Sequence, residues 1–268
     1  NPGDPKWTVL NIPRVLGGIN EQSTAKAKAL YASFLDSEVA VVGSIRAAEA
    51  TKILENTFRD INIAFVNEMA KSFARLDIDI HDVIRAASTK PFGYMPFYPG
   101  AGVGGHCIAV DPYYMIARGK EAGFDHEFLR LARKINESMP EYVIEVLGKA
   151  LNEVALPLRG TSVALLGIAY KPGVADDRES PAHEILNLLQ ENGCDVRVFD
   201  PYVSEQSTVD SLDQALDGVA AIVLATAHPE FIEGIEKISD AKVVIDGRNC
   251  LDRGLLESAG VLYRGIGR

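Results

Sequence analysis

The sequence is poor in cysteine and contains no long apolar run. Its three cysteines, at positions 107, 194 and 250, lack the even count and regular spacing of a disulfide framework. Reduced thiols of this kind are typical of a cytoplasmic protein. No apolar run reaches the roughly 18 residues of a transmembrane helix, and no signal-peptide pattern opens the chain. We therefore expect a cytoplasmic protein without a membrane partner.

Positive charge is also scarce, since 27 Lys and Arg stand against 37 Asp and Glu, a formal net charge of −10. This balance argues against nucleic acid as a partner. An anionic ligand would need cations placed locally, and the candidates are Lys52, Lys90, Lys171, Arg178 and Arg248. The histidines and cysteines are scattered apart from one adjacent pair at positions 106 and 107, so we expect no metal site.

The order of helix-like and strand-like patterns predicts an α/β protein. Residues 1–43 open with turn chemistry at 1–5 and continue as strand, helix and strand, which we interpret as the end of a larger sheet. Residues 44–156 are nearly all helical and form a predicted central dimerisation domain. Residues 157–268 alternate strands with helices, which predicts a doubly wound, parallel, Rossmann-like sheet.

One helix stands out by its length. From Ser44 to Leu76 there is neither proline nor glycine, apolar residues recur at helical spacing, and Ser44 suits an N-cap. A helix this long needs a partner along its length, so we expect it to build a homodimer or a higher oligomer. Its opposite face carries Lys52, Asn56 and Arg59 in one stripe, which spacing alone interprets as a solvent-exposed face.

The most unusual stretch runs from Tyr98 to Tyr114 and places glycines at 100, 102, 104 and 105 just before Cys107, with Asp111 four residues further on. Four glycines predict positive φ or a close backbone approach, and we expect the approached group to be a ligand. A thiolate beside a carboxylate suits covalent catalysis, although a lone cysteine is more often a small buried residue. The glycines also fit G-x-G-x-x-G, but a loop rich in proline and aromatics precedes them, so we reject a dinucleotide loop.

A second candidate loop, Gly167 to Glu179, follows the first strand of the C-terminal sheet and exceeds the usual length of such a turn. It contains Lys171 and Arg178, and we expect these side chains, with Arg248, to hold a diphosphate. Asp200, at the end of the next strand, is placed like a ribose-binding acid, but we predict a structural role for it.

Three segments in chain order carry a family resemblance. They read K-I-L-E-N-T-F-R-D-I-N-I-A at 52–64, G-G-H-C-I-A-V-D-P at 104–112, and Y-K at 170–171 with D-R-E-S at 177–180. Together they resemble the UDP-glucose/GDP-mannose 6-dehydrogenase family. The G-G-H-C form, with T-K-P-F-G at 89–93 and P-F-Y-P-G at 96–100, is most similar to the UDP-N-acetylhexosamine dehydrogenases.

The resemblance implies NAD-dependent, two-step oxidation of the C6 alcohol of UDP-N-acetylmannosamine or UDP-N-acetylglucosamine to the uronate. In it, Cys107 is the nucleophile that forms a thiohemiacetal and then a thioester. Lys52 and Asn56 stabilise oxyanions and position water, and Asp111 takes part in acid–base chemistry.

The resemblance also implies the binding residues. Contacts to the substrate fall to Tyr98, Gly100, Gly102, Gly104, Gly105, Lys171 and Arg248. A contact to NAD falls to Arg178. Val110 stands where many relatives have Lys, so a cofactor contact is absent there. The family begins with an NAD-binding domain that carries a catalytic glutamate. We expect both to be missing here and the chain alone to be inactive.

Four alternatives stay open. The first is a dimeric nucleotide-sugar-binding module without activity, and the second is a UDP-glucose 6-dehydrogenase. The third is a dehydrogenase of the 6-phosphogluconate type, which acts through Lys and Asn without a cysteine. In the fourth, Cys107 is purely structural.

Overall fold

The computed structural model describes residues 6–238 and 240–268, so the turn predicted over residues 1–5 lies outside it. The chain divides into two compact units, the first ending at Arg59 and the second running from Asp60 to Arg268. This division falls inside a helix. The boundaries expected after residues 43 and 156 stay a prediction.

The first unit contains a strand–helix–strand motif, as the sequence predicts. It consists of β1 (Arg14–Leu16), α1 (Glu21–Ala32) and β2 (Val39–Val41), and the two strands are parallel. A capping box starts α1, because Asn20 accepts from the Ser23 amide while its own amide donates to the Ser23 hydroxyl. The small core of this motif is formed by Leu16, Leu35 and Val39.

The predicted long helix is present as α2 (Ile45–Arg75). Its N-cap is Ser44, whose hydroxyl accepts a hydrogen bond of 3.1 Å from the Ala47 amide. Apolar side chains at helical spacing along α2 are exposed: Leu54 by 70%, Phe58 by 45% and Phe65 by 57%. Within the described ranges, no helix combines the length and apolarity that a bilayer span requires.

Four further helices precede the sheet. They are α3 (Ile80–Ala87), α4 (Asp111–Glu121), α5 (Glu127–Glu137) and α6 (Met139–Glu153). Ser138 separates α5 from α6. Pro140 itself lies in the first turn of α6, where its missing N–H costs no hydrogen bond.

The C-terminal half forms a five-stranded, fully parallel sheet in the order β4-β3-β5-β6-β7. Its strands are β3 (Ser162–Leu166), β4 (Asp195–Phe199), β5 (Ala221–Leu224), β6 (Val243–Asp246) and β7 (Leu262–Gly265). Its helices are α7 (Pro181–Glu191), α8 (Leu212–Leu216), α9 (Pro229–Glu233), α10 (Ile235–Ile238) and α11 (Arg253–Ser258). The doubly wound α/β prediction is confirmed. Neither α11 nor β7 is indicated by the sequence pattern, and Gly234 separates α9 from α10.

Successive residues of the strands face two different cores. Val163 and Leu165 share one core with α6 and α7, whereas Ala164 and Leu166 share the other with Phe231 and its neighbours. Because α6 contributes Met139, Val143 and Leu147 to the first of these cores, the helices after residue 60 and the sheet form a single unit.

A buried polar network lies beside this core and reaches the glycine stretch. The Asp60 carboxylate accepts from Arg133 at 2.7 Å and from the Asn136 amide at 2.8 Å. Asn136 accepts from Asn67 at 2.9 Å, and Asn67 accepts from the Gly100 backbone at 3.0 Å. The four side chains are at most 5% exposed. The network therefore fixes the start of the glycine stretch against α2 and α5.

Charge pairing is essential to this network. Burial raises the pKa of Asp60, while Arg133 acts against that rise. Burial alone would lower the pKa of Arg133, but the Asp60 carboxylate outweighs it and raises that pKa. Loss of either partner would leave the other charge buried without compensation.

Replacing Arg133 with Met should lower the free energy of unfolding by about 3–5 kcal/mol, because Asp60 loses its cation in a buried site. Urea denaturation measures the change. The matched control is Arg130→Met on the same helix, since the Arg130–Asp125 ion pair is exposed and contributes little. Equal effects of the two variants would contradict the importance of the buried pair.

Candidate functional site

The glycine stretch is an irregular loop whose backbone requires glycine at two positions. Gly102 has a φ of +129° and Gly105 a φ of +86°, both in a region that side chains disfavour. This confirms the positive φ predicted for the stretch.

The close approach predicted for the glycines is present, and what they approach is protein. A Cβ added to Gly102 would lie 2.8 Å from the Pro181 Cβ, and one on Gly105 would lie 2.9 Å from the ring of Tyr170. A Cβ on Gly104 would lie 2.7 Å from the Glu179 carbonyl oxygen. The loop that follows β3 therefore occupies the Cβ side of these glycines. Substrate contact through their backbone stays a prediction.

The start of the stretch meets the loop after β6. The Ala101 amide donates to the Gly247 carbonyl at 3.1 Å, and a Cβ on Gly100 would lie 2.9 Å from Nη1 of Arg248. Arg248 is half-buried, and burial lowers the pKa of its guanidinium. Its Nε donates to the Ala225 carbonyl at 2.8 Å, which holds the guanidinium beside the end of β5. Two predicted substrate residues, Gly100 and Arg248, are thus brought together.

Tyr98 lies at the entrance of the stretch. Its ring is 57% exposed and stacks on His81 with centroids 5.8 Å apart. One face of the ring therefore packs on His81, and the exposed part of the residue is accessible to a ligand.

Cys107 is the exposed thiol of the three. It lies in a turn that leads into α4, and the Asp111 amide donates to its carbonyl at 2.9 Å. The chain therefore coils between these two residues. Cys194 and Cys250 are half-buried, and burial raises the pKa of both thiols, that of Cys250 to about 12 with a further contribution from Asp246.

The loop after β3 runs from Gly167 to Ser180 and contains an ion pair between two of its own residues. Arg178 donates two hydrogen bonds to the Asp176 carboxylate, at 2.9 and 2.7 Å, and remains 65% exposed. Burial, followed by the charges of Asp176 and Cys107, raises the pKa of the Tyr170 phenol. The Gly105 amide, two residues before Cys107, donates to the Arg178 carbonyl at 3.1 Å, so the segment that carries the thiol adjoins this loop, which also carries Lys171.

Asp200 has the structural role that the sequence predicts. Its fully buried carboxylate accepts from the Ile168 and Ala169 amides at 2.6 and 2.8 Å, and from the Tyr202 amide at 2.8 Å. Burial would raise the pKa of Asp200, but hydrogen bonds from His228 and the backbone outweigh it and hold that pKa well below its usual range. No oxygen of this carboxylate is left for a ribose.

Lys52 and Asn56 belong to the first unit. Lys52 and Arg59 are exposed, as expected for a solvent-exposed face, but that interpretation is wrong for Asn56, whose side chain is fully buried. Its Oδ1 accepts from the Arg59 guanidinium. A buried amide that receives an internal hydrogen bond is more rigid than a surface residue, which suits a positioning role.

Arg178 is the residue predicted for the cofactor, and its contact to NAD stays a prediction. Its guanidinium is exposed, and the two hydrogen bonds to Asp176 fix its plane. A planar, permanently charged donor of this kind matches a pyrophosphate. The glycines at 100–105 follow no strand among the described residues, so they do not form a dinucleotide loop.

Comparison with known families identifies both halves of the chain. Residues 46–138 match the central domain of the UDP-glucose/GDP-mannose dehydrogenase family, and residues 164–253 match the UDP-binding domain of the same family. The chain belongs to the UDP-glucose/GDP-mannose dehydrogenase family. The candidate site therefore spans the central domain, through the glycine stretch, and the UDP-binding domain, through the loop after β3.

Individual members of this family are similar over most of the chain. UDP-N-acetyl-D-mannosamine dehydrogenase of Pyrococcus horikoshii is 39% identical over 259 residues, which are 95% of this chain and 60% of that protein. Its solved structure gives a TM-score of 0.87 at 38% identity, with 97% of this chain and 60% of that chain covered. UDP-N-acetyl-D-glucosamine 6-dehydrogenase of Pseudomonas aeruginosa is 36% identical over 91% of this chain and 60% of its own length. The chain thus spans about 60% of the length of these family members.

Iodoacetamide should alkylate Cys107 well before the other two thiols, because Cys107 is exposed while burial raises the pKa of Cys194 and Cys250. Mass spectrometry of the intact and digested protein at pH 8 should show one rapid addition. A Cys107→Ser variant should show none on the same timescale. Equal labelling of all three thiols would contradict the exposure described.

Proposed function

We propose that the protein to which this chain belongs oxidises the C6 alcohol of a UDP-N-acetylhexosamine to the carboxylate in two steps, with NAD as the hydride acceptor. The observation that carries the proposal is the placement of Cys107. This exposed thiol follows a glycine-rich loop that is packed against the loop carrying Lys171, because the Gly105 amide donates to the Arg178 carbonyl at 3.1 Å and Gly105 lies against the ring of Tyr170.

Cys107 would act on the aldehyde produced by the first oxidation. The thiolate sulfur adds to the carbonyl carbon and gives a thiohemiacetal, whose oxygen takes up a proton. Removal of a hydride from the same carbon, with loss of that proton, leaves a thioester. Water then adds to the thioester carbonyl, the carbon–sulfur bond breaks, and the carboxylate leaves while the thiol is restored.

Lys52, Asn56 and Asp111 would serve this chemistry. The Lys52 ammonium and the Asn56 amide stabilise the oxyanions that form when the thiolate and then water add. Asn56 is buried and bonded to Arg59, which supports its use as a fixed group. Asp111 lies one turn beyond Cys107 and would accept a proton from the attacking water.

The nucleotide end would be held by the second unit. Arg248 and Lys171 pair with the diphosphate, and the backbone around Gly100, Gly102, Gly104 and Gly105, with the exposed residue Tyr98, encloses the sugar and the diphosphate. Arg178 would contact NAD. We further propose that residues 1–43 are part of a cofactor domain and that this chain alone binds substrate without turning it over.

The family members named above act on N-acetylated sugars, and this supports a UDP-N-acetylhexosamine over UDP-glucose. The proposal includes both UDP-N-acetylmannosamine and UDP-N-acetylglucosamine as substrates, because one of the two relatives is named for each epimer. A binding module without activity is the competing function.

Isothermal calorimetry on the 268-residue chain tests the binding step. UDP-N-acetylmannosamine or UDP-N-acetylglucosamine should bind more tightly than UDP-glucose. Arg248→Met should weaken binding roughly 10- to 100-fold, because a charge-assisted hydrogen bond to the diphosphate is lost. The matched control is Arg253→Met, an arginine on α11 that pairs with Glu257. Absence of heat with every UDP-sugar would contradict the proposal.

The chemical step needs a separate assay. NADH formation is expected from the whole protein and not from the 268-residue chain. In the whole protein, Cys107→Ala should abolish the second oxidation. Unchanged double oxidation by that variant would favour the enzyme type that uses Lys and Asn without a thiol, and turnover by the chain alone would contradict the inactivity proposed for it.

We also propose a homodimer formed through α2. The supporting observation is the exposed apolar stripe that contains Leu54, Phe58 and Phe65, which is costly to leave in water. A second copy of the same helix, antiparallel to the first, would bury it with matching chemistry.

Sedimentation velocity should therefore give a dimer for the wild-type chain and a monomer for Phe58→Glu, since a carboxylate in the centre of the stripe cannot be buried without a partner. Ile19→Glu changes an apolar residue that is 85% exposed outside the stripe, and it should remain dimeric. A monomeric wild type, or an unchanged dimer in Phe58→Glu, would contradict this interface.

A further inference from the structure

His228 is a buried histidine that the proposed mechanism does not use. It follows β5 and precedes α9, and its side chain is fully buried. The ring stacks on Tyr202 with centroids 4.8 Å apart, and Phe231 meets it edge-on at 5.4 Å. These contacts hold the imidazole plane in one orientation.

Both nitrogens of this ring are engaged, and their partners fix the tautomer. The Gly173 backbone amide donates to Nδ1 at 3.1 Å, and an amide N–H can only donate. Nδ1 is therefore the acceptor and Nε2 carries the proton. Nε2 then donates to the Asp200 carboxylate at 3.1 Å.

The two buried residues together hold the loop after β3 on either side of Lys171. Asp200 accepts hydrogen bonds from the amides of Ile168 and Ala169, and Ala169 lies two residues before Lys171. His228 accepts from Gly173, two residues after it. The backbone on both sides of Lys171 is thus hydrogen-bonded to side chains that are fully buried, Asp200 and His228.

The loop lies where a parallel doubly wound sheet binds ligands. β3 and β5 are neighbours in the sheet. After β3 the chain adds β4 on one side, whereas β5, β6 and β7 are added on the other side, so the strand order reverses between β3 and β5. The loop after β3 and the residues after β5, including His228, flank this crevice.

We propose that His228 is a positioning residue for nucleotide binding: its Nδ1 holds Gly173 and thereby sets the path of the backbone that presents Lys171 to the diphosphate. The inference rests on the proposed function, in which Lys171 contacts the UDP-sugar. It adds a residue from a different strand end, and His228 itself touches no substrate.

Two substitutions separate the two ring nitrogens. In His228→Asn, Oδ1 takes the place of Nδ1 and can still accept from Gly173, while the hydrogen bond to Asp200 is lost. In His228→Gln, the terminal amide takes the place of Nε2 and can still donate to Asp200, but Gly173 loses its acceptor. Both variants remove the ring, so they share the packing loss.

With UDP as the probe, calorimetry should find binding to His228→Asn within about twofold of wild type and binding to His228→Gln weakened roughly five- to tenfold. Hydrogen exchange should be faster at the Gly173 amide in His228→Gln by a similar factor and little changed in His228→Asn. Tyr202→Phe, which keeps the stacked ring, is the control and should leave both readings unchanged. A merely structural role would lower the stability of both variants without separating their UDP affinities.

Equal UDP affinity and equal exchange in the two variants would overturn the proposal. If both variants fail to fold, the wild-type chain still decides. The Gly173 amide should exchange on the order of a hundredfold more slowly than an unprotected loop amide, and exchange at the unprotected rate would overturn the inference. If wild-type protein does not bind UDP at all, the proposed function fails, while the exchange comparison reports on the loop independently.

Discussion

Close contact between the glycine stretch and the loop after β3, possible only where a side chain is missing, sets the geometry of the candidate site. At Gly102, Gly104 and Gly105 an added Cβ would fall within 3 Å of atoms in Tyr170, Glu179 or Pro181. A methyl group at these points would push apart the thiol-bearing loop and the loop that carries Lys171. The glycines therefore first allow two parts of the protein to pack closely together. Any ligand contact uses the remaining side of their backbone.

The regular elements were largely predictable because their sequence periods are strong. The long helix and its N-cap at Ser44 each follow from a local rule that tertiary structure did not override. The elements that the sequence analysis missed lack such a signal. Strand β7 reads L-Y-R-G, with an arginine and a glycine among four residues, and α11 has only six residues with a glycine second. Both form because the edge of the sheet and its second core provide a surface for Tyr263 and Leu256.

The site was only partly predictable. The cysteine, the glycines and the charged loop stand out locally, and the family resemblance adds Lys52 and Asn56. The buried network of Asp60, Asn67, Arg133 and Asn136 was not foreseen, because its members lie 69 to 76 positions apart across their contacts and are of types common on surfaces. One signal was available, since Asp60 and Asn67 lie two turns apart on one helix face and Arg133 and Asn136 lie one turn apart.

Helix α6 shares its apolar core with β3, β5 and β6, so the glycine stretch and the loop after β3 are carried by the same compact body. Their separation is then set during folding and not by an arriving nucleotide. Under the proposed function, a diphosphate that enters between them would find its donors already arranged, and the entropy of ordering two loops would not be subtracted from its affinity.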